Sequence, residues 1–184
     1  LLGVTRTDAI TGNAERFGVY SFDSTSPLRQ AFKDDKDNFY TLDNTYTAIR
    51  IPQVDANPSL ARRIAAGQIP QGLARDNERR CLDAMVAFET GKLSLKETVA
   101  TLCAYEQVFD PGEDHSLEYR RTLEAAPWRA CPCDICRKIG HHVILFRGAE
   151  RNRRRGLHNV WTFHKRLRER RPLPIDDTSE SPPK

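Results

Sequence analysis

The sequence predicts an α/β protein, and three observations carry that expectation. The first twenty-two residues read as strand, helix, strand, the middle of the chain turns helical, and Cys131-Pro132-Cys133-Asp134-Ile135-Cys136 then places three sulfurs within six residues. A strand-helix-strand unit implies parallel strands joined by a right-handed crossover, as in an open α/β sheet or a closed barrel. A C-x-C-x-x-C triplet can aim its thiolates at one point without a long loop, and a later histidine completes a tetrahedral site of the kind that holds structural zinc. Redox motifs use two sulfurs and would leave the third unexplained.

The opening strand is Leu1 to Val4, already under way with no initiator methionine and no leader, so the 184 residues are expected to be the C-terminal part of a longer protein. Thr7 to Phe17 follows with helical spacing of Ile10, Ala14 and Phe17, and Gly18 to Phe22 is a second strand rich in β-branched and aromatic residues. In open sheets and barrels alike, chemistry collects at the carboxyl ends of parallel strands, which is where Asp23 stands. Its carboxylate suits a nucleophile, a general base or a metal ligand, with a turn cap at Ser24 and Thr25 as the plain alternative. Arg29, beyond Pro27, suits a phosphate.

Asn38 to Leu42 and Tyr46 to Ile51 alternate around Asp43-Asn44, which predicts a β-hairpin. Leu60 and Ile64 mark a short helix ending at Gly67. Leu73, Cys81, Met85 and Phe88 keep a helical period that stops before Gly91. Ser94-x-x-Glu97 is a capping box, opening a helix that carries Val99, Leu102 and Cys103. Cys81 and Cys103 read as core residues of these helices. His142 to Phe146 fits a strand or a helix, and His158 to Arg170 is expected to be a helix with Val160, Trp161, His164 and Leu167 on or near one face. Four prolines and scattered acids mark Pro172 to Lys184 as a disordered tail. His141, His142 and His164 compete with His158 for the fourth corner of the metal site.

Charge is uneven. Trp128 to Arg171 holds thirteen Lys or Arg against three Asp or Glu, whereas Leu1 to Pro127 holds fifteen against nineteen. The basic charge therefore travels with the cysteines. Arg147, Arg151, Arg153, Arg154 and Arg155 form a footprint for a polyanion, with a solvated helix face as the bland alternative. No apolar run approaches a membrane span, and clustered cysteines among a total of five fit a reducing cytoplasm better than a disulfide scaffold.

Phe22-Asp23, Pro27 and Arg29 resemble the F-D-x-x-x-P-x-R segment of the tRNA-guanine transglycosylase family. Leu2-Gly3-Val4 is similar to the family's preceding L-M-G-V-G strand, and the cysteine triplet with His158-Asn159 is similar to its zinc motif. The phrases Ser24-Thr25-Ser26-Pro27 and Arg151-Asn152-Arg153-Arg154-Arg155-Gly156 resemble the branch that inserts a deazaguanine base into DNA. The resemblance implies the C-terminal part of a (β/α)8 TIM barrel with a helical insertion and a zinc-binding subdomain. It divides the chain at 1–58 for the last strands and catalytic loop, 59–127 for the insertion, 128–171 for the basic zinc subdomain and 172–184 for the tail. It also implies base exchange, in which guanine in nucleic acid is replaced by a 7-deazaguanine through a covalent sugar intermediate on Asp23. DNA is favoured over tRNA as the substrate, Leu2 and Gly3 would lie in the base pocket, and structural Zn2+ would be held by Cys131, Cys133, Cys136 and His158. Arg29, Arg151, Arg153, Arg154 and Arg155 would contact the nucleic acid. The family's second aspartate would lie upstream, so the 184 residues alone are expected to be inert, and the resemblance leaves room for a homodimer or partner subunits. Two readings compete: a tRNA-guanine transglycosylase of queuosine or archaeosine type, and a noncatalytic zinc-dependent nucleic-acid-binding module, which leaves the Asp23 segment without a purpose.

Overall fold

The computed structural model describes residues 16–18, 21, 23–33 and 36–170. Most of the expected strand-helix-strand unit, including Leu2 and Gly3, and the whole of the expected tail lie outside the described residues, as do the barrel strands that the unit would supply. What is described is helix-rich with two short strand pairs, in keeping with an α/β class. Among the described residues, no helix is long and apolar enough to cross a membrane.

Asp23 precedes a short helix, α1 (Ser26–Gln30), which starts at a proline in its first turn. The hairpin then forms as β1 (Phe39–Tyr40) antiparallel to β2 (Thr45–Tyr46), with Phe39 opposite Tyr46. It is shorter than the alternation predicts. The continuation β3 (Ile49–Arg50) leaves the hairpin and pairs in parallel with β4 (Leu145–Phe146), Ile49 opposite Leu145. The apolar stretch His142 to Phe146 accordingly divides into a 3-10 turn over Gly140–Ile144 and that strand.

Between β3 and β4 run the helices α2 (Pro58–Ala65), α3 (Gln71–Glu89), α4 (Leu95–Phe109), α5 (Ser116–Ala125), α6 (Pro127–Ala130) and α7 (Asp134–Ile139). Local chemistry sets their ends. Asn57 Oδ1 accepts from the N–H groups of Ser59 and Leu60 at 3.0 Å each, and Ser94 with Glu97 forms the reciprocal capping box that the sequence predicts. Gly91, at φ +71°, takes the left-handed conformation that stops α3 and lets α4 fold back onto it. A buried polar knot then fastens this block to the strands. The fully buried Glu106 accepts from the His115 N–H at 3.0 Å and from the Tyr119 hydroxyl at 2.8 Å, and Thr122 donates to the Thr47 carbonyl at 2.8 Å. One core joins β1, β3, β4, the helices and the cysteine segment, from Phe39 and Ile49 through Met85, Leu102 and Tyr119 to Trp128, Cys133 and Leu145.

The last helix, α8 (Gly148–Arg170), begins ten residues before the expected His158 and takes Arg151, Arg153, Arg154 and Arg155 with it, whereas Arg147 stays outside it and, contrary to its place in the expected footprint, is largely buried against Glu78. The buried face of α8 also differs from the expectation. Val160 is 41% exposed and Leu157 51%, while Asn152, Arg155, His158, Asn159 and Thr162 are all under 7% exposed. Helical spacing of buried residues is present, but the residues are polar. Gly156 sits on this face where α1 crosses, and a Cβ there would lie 2.6 Å from Leu28 Cδ1 and 3.2 Å from the Leu28 carbonyl oxygen. Gly156→Ala should therefore cost about 1 kcal/mol net, since overpacking of about 1–3 kcal/mol outweighs a helix-propensity gain of up to about 1. Chemical denaturation of the full-length protein checks this, and a stabilised variant would contradict the close approach of α1 and α8.

Candidate metal centre

The sulfurs of Cys131, Cys133 and Cys136 and a ring nitrogen of His158 all lie within 4.8 Å of one another. Local structure brings them there. Cys131 ends α6, and Cys133 is the N-cap of α7, its Sγ accepting from the Cys136 N–H at 3.3 Å. Cys136, one turn in, turns its sulfur to the same side, and α8 delivers His158 from across the core.

His158 Nδ1 stands 3.6 Å from Cys131 Sγ, 3.4 Å from Cys133 Sγ and 3.4 Å from Cys136 Sγ. One imidazole nitrogen makes one hydrogen bond, so three equal approaches need another cause. A tetrahedral zinc ion, with bonds of about 2.3 Å to sulfur and about 2.05 Å to nitrogen, separates each sulfur from the nitrogen by about 3.5 Å. The residues fit such an ion. On the far side, His158 Nε2 lies 2.7 Å from the Tyr40 carbonyl oxygen and 3.5 Å from Thr162 Oγ1, and Phe39 stacks on the ring at 4.2 Å between centroids. Donation of Nε2–H to the Tyr40 carbonyl leaves the Nδ1 lone pair for the metal and fixes the ring. The cluster could thus hold a metal ion.

Without a cation the four groups can only share protons. Hydrogen bonds from the Cys131 and Cys136 thiols hold Cys133 far below the ordinary thiol range, while hydrogen bonding to Cys131 and Cys133, with burial, pushes Cys136 far above it. Burial pulls the His158 pKa down, but its hydrogen bonds with Cys131 and Cys133 outweigh that and raise it to about 9. A metal must displace these protons.

The other histidines stand aside. His141 and His142 sit in the 3-10 turn with their rings 4.3 Å apart, and His142 Nδ1 meets Arg151 Nη1 at 3.1 Å, while His164 is exposed.

Of the expected nucleic-acid contacts, Arg29, Arg153 and Arg154 are exposed and Arg151 is half-buried. Arg154 and Arg153 both pair with Glu150, at 2.9 Å and 3.7 Å. Such exposed pairs are weak and leave the cations available to a stronger anion. Arg155 is a correction. It is fully buried and donates to the carbonyls of Ala31 at 2.6 Å and Leu145 at 3.0 Å and to Asn152 Oδ1 at 2.7 Å, so it has no face for a phosphate. Burial pulls its pKa down to about 9, which still leaves it charged at neutral pH. Asn159, which the sequence marks only as the motif neighbour of His158, donates to the Pro27 and Asn38 carbonyls at 3.2 Å and 3.0 Å and accepts from the Tyr40 N–H at 2.9 Å. Together Arg155, Gly156 and Asn159 dock α1, three residues past Asp23, onto the helix that carries His158. Asp23 itself is exposed.

These features define the class as a chain with a Cys3His metal-binding cluster, its histidine on a long basic helix. No family model matches the chain. It is 46% identical over 183 residues to a DNA-guanine transglycosylase of Salmonella montevideo, an alignment covering 97% of this chain and 44% of that relative. The chain is homologous to the DNA-modifying branch of the tRNA-guanine transglycosylase superfamily, as its motifs imply, and spans less than half the length of that relative.

Full-length protein should carry one zinc per chain. Cys133→Ser should drop the content below about half an equivalent and loosen α7 and α8, because metal binding and folding are one free energy in such sites. His141→Ala should keep its zinc, and metal analysis of both variants decides the ligand set. Zinc affinity should also weaken as pH falls below about 9, since protons then hold His158 and the thiols against the metal, which a chelator competition titration across that range measures.

Proposed function

We propose that the whole protein is a base-exchange transglycosylase that replaces guanine in DNA by a 7-deazaguanine. The observation that carries this is the 46% identity, over nearly the entire chain, to a protein named as a DNA-guanine transglycosylase. The Asp23 segment, the cysteine triplet and His158 support it by standing in the family's order.

In the proposed reaction the Asp23 carboxylate attacks the anomeric carbon of a target deoxyguanosine. The bond from that carbon to N9 breaks, and guanine leaves with the electron pair and takes up a proton, which the resemblance assigns to a second aspartate. The ring nitrogen of the incoming base, giving up its proton, then attacks the same carbon, and the carboxylate leaves with net retention. A carboxylate suits this path because it is anionic while positive charge develops on the sugar, and it forms an ester that can be displaced. Leu2 and Gly3 would line the base pocket, and Arg29, Arg151, Arg153 and Arg154 would hold backbone phosphates. The metal is zinc in this reading, and its contribution when bound is structural, closing the cluster and fixing α8.

Asp23→Asn in the full-length protein should abolish the covalent DNA adduct while leaving DNA binding within about twofold, because only the nucleophile is lost. An adduct that survives would remove Asp23 from the role. Neutralising Arg153 and Arg154 together should weaken binding alike on all sequences and flatten the salt dependence by about one to two units of slope. A salt titration on duplex DNA, single-stranded DNA and tRNA reads this. Preference for tRNA would move the substrate to the parent family, and loss confined to one sequence would mean base reading.

A further inference from the structure

The four candidate ligands of the metal centre are unequally sheltered. Cys133 and Cys136 are each 3% exposed and His158 1%, whereas Cys131 is only partly buried. A cavity of about 360 Å³, bordered by the hairpin, α6 and α8, reaches Cys131, with Tyr40, Tyr46, Pro127 and Trp161 among its walls. Cys133 borders a separate hollow of about 300 Å³ beside Ile135 and Leu157, yet remains almost wholly covered, and Cys136 lines neither space.

Hydrogen bonding separates the sulfurs in the same order. Cys133 Sγ accepts from the Cys136 N–H at 3.3 Å, a bond that stabilises charge on the sulfur and lowers its nucleophilicity. Cys131 Sγ accepts from no backbone N–H among the described residues, and its one polar neighbour there outside the sulfurs is His158. In the metal-free cluster the shared protons make Cys133 the thiolate, but a tetrahedral ion displaces protons from all three sulfurs. Access and hydrogen bonding then decide which of three thiolates reacts, and both single out Cys131. The remaining cysteines stand apart. Burial pushes the Cys81 thiol up to about 12 and the Cys103 thiol up to about 11, so neither is a thiolate near neutral pH.

We propose that Cys131 is an oxidation site, the one sulfur through which a peroxide reaches the metal centre and opens it. Cys131 Sγ attacks one oxygen of the peroxide, the O–O bond breaks, and hydroxide leaves with the electron pair, so the sulfur becomes a sulfenic acid. The Cys133 or Cys136 thiolate, each with its sulfur within 4.8 Å, then displaces a second hydroxide from that sulfur and forms a disulfide. Two sulfurs lose one electron each, the peroxide ends as two hydroxides, and the metal, left with two of its four donors, dissociates. The disulfide keeps the end of α6 joined to α7, but nothing then ties either to His158, so the cross-link to α8 is the one lost. A thiol reductant followed by zinc reverses the change.

The test takes the full-length, zinc-loaded protein and two probes. Limiting iodoacetamide, which forms an S–C bond as iodide leaves, should label Cys131 at least about tenfold faster than Cys133 or Cys136, as peptide mass mapping reads. Cys81 and Cys103 should also react later than Cys131. Hydrogen peroxide, little larger than a water molecule of about 30 Å³, fits the cavity and should release zinc to a chromogenic chelator, with one disulfide containing Cys131 formed for each zinc released. Cys131→His removes that sulfur and offers the metal an imidazole instead. The variant should keep its zinc and lose it to peroxide at least about tenfold more slowly than wild type. If Cys131→His does not hold zinc, the labelling order in the wild type decides alone. Equal or earlier labelling of Cys133 or Cys136, a peroxide product bridging Cys133 to Cys136, or zinc release from the zinc-loaded variant at the wild-type rate overturns the proposal. So does a zinc-loaded protein in which neither probe modifies Cys131.

Discussion

Three sulfurs and one imidazole nitrogen converge in the core of this protein, each sulfur 3.4–3.6 Å from His158 Nδ1, and the rest of the structure follows from the need to hold them there. Proton sharing alone satisfies such a cluster poorly, because crowded thiolates repel and one nitrogen cannot serve three sulfurs. A tetrahedral ion removes the conflict and turns four unfavourable neighbours into a cross-link. The cross-link reaches far. Cys131 ends α6, Cys133 caps α7, His158 belongs to α8, and the far nitrogen of the same ring holds the Tyr40 carbonyl of the hairpin.

From His158 the constraint passes along α8 through side chains that are buried and polar. Arg155 gathers the carbonyls of Ala31 and Leu145, joining the end of α1 to the start of β4 on one guanidinium, and Asn159 ties Pro27, Asn38 and Tyr40 together. A buried arginine with carbonyl partners and no carboxylate among them is costly in desolvation, so its return is in geometry more than in stability. That geometry sets α1 against the helix that carries the metal ligand, with Gly156 allowing the contact. In the proposed enzyme, α1 follows directly on the nucleophile segment, so a metal distant from the chemistry can still decide where Asp23 stands.

Much of this was legible where the signal is local. The cysteine spacing, the Ser94-x-x-Glu97 box and the stop at Gly91 are short-range chemistry, and each appears in the structure as read. The choice of His158 over His141, His142 and His164 came from the family motif, since spacing alone left all four open. Two features were out of reach for physical reasons. The pairing of Ile49–Arg50 with Leu145–Phe146 joins residues almost a hundred positions apart, and alternation near Asp43-Asn44 placed that stretch in the hairpin instead. The buried face of α8 was hidden because helix reading follows apolar residues, and here Val160 is exposed while Asn152, Arg155, Asn159 and Thr162 are buried at helical spacing. The same inversion led to Arg155 being placed among surface cations.

The most direct test of the account is whether the metal organises the segment next to Asp23. Hydrogen exchange of full-length protein, read before and after zinc removal, follows the backbone amides of 26–33 separately from those of α7 and α8. Coupling through His158, Arg155 and Asn159 predicts that removing zinc deprotects 26–33 together with α8, and that restoring zinc protects both again. Deprotection confined to the cysteine segment, with 26–33 unchanged, would contradict it.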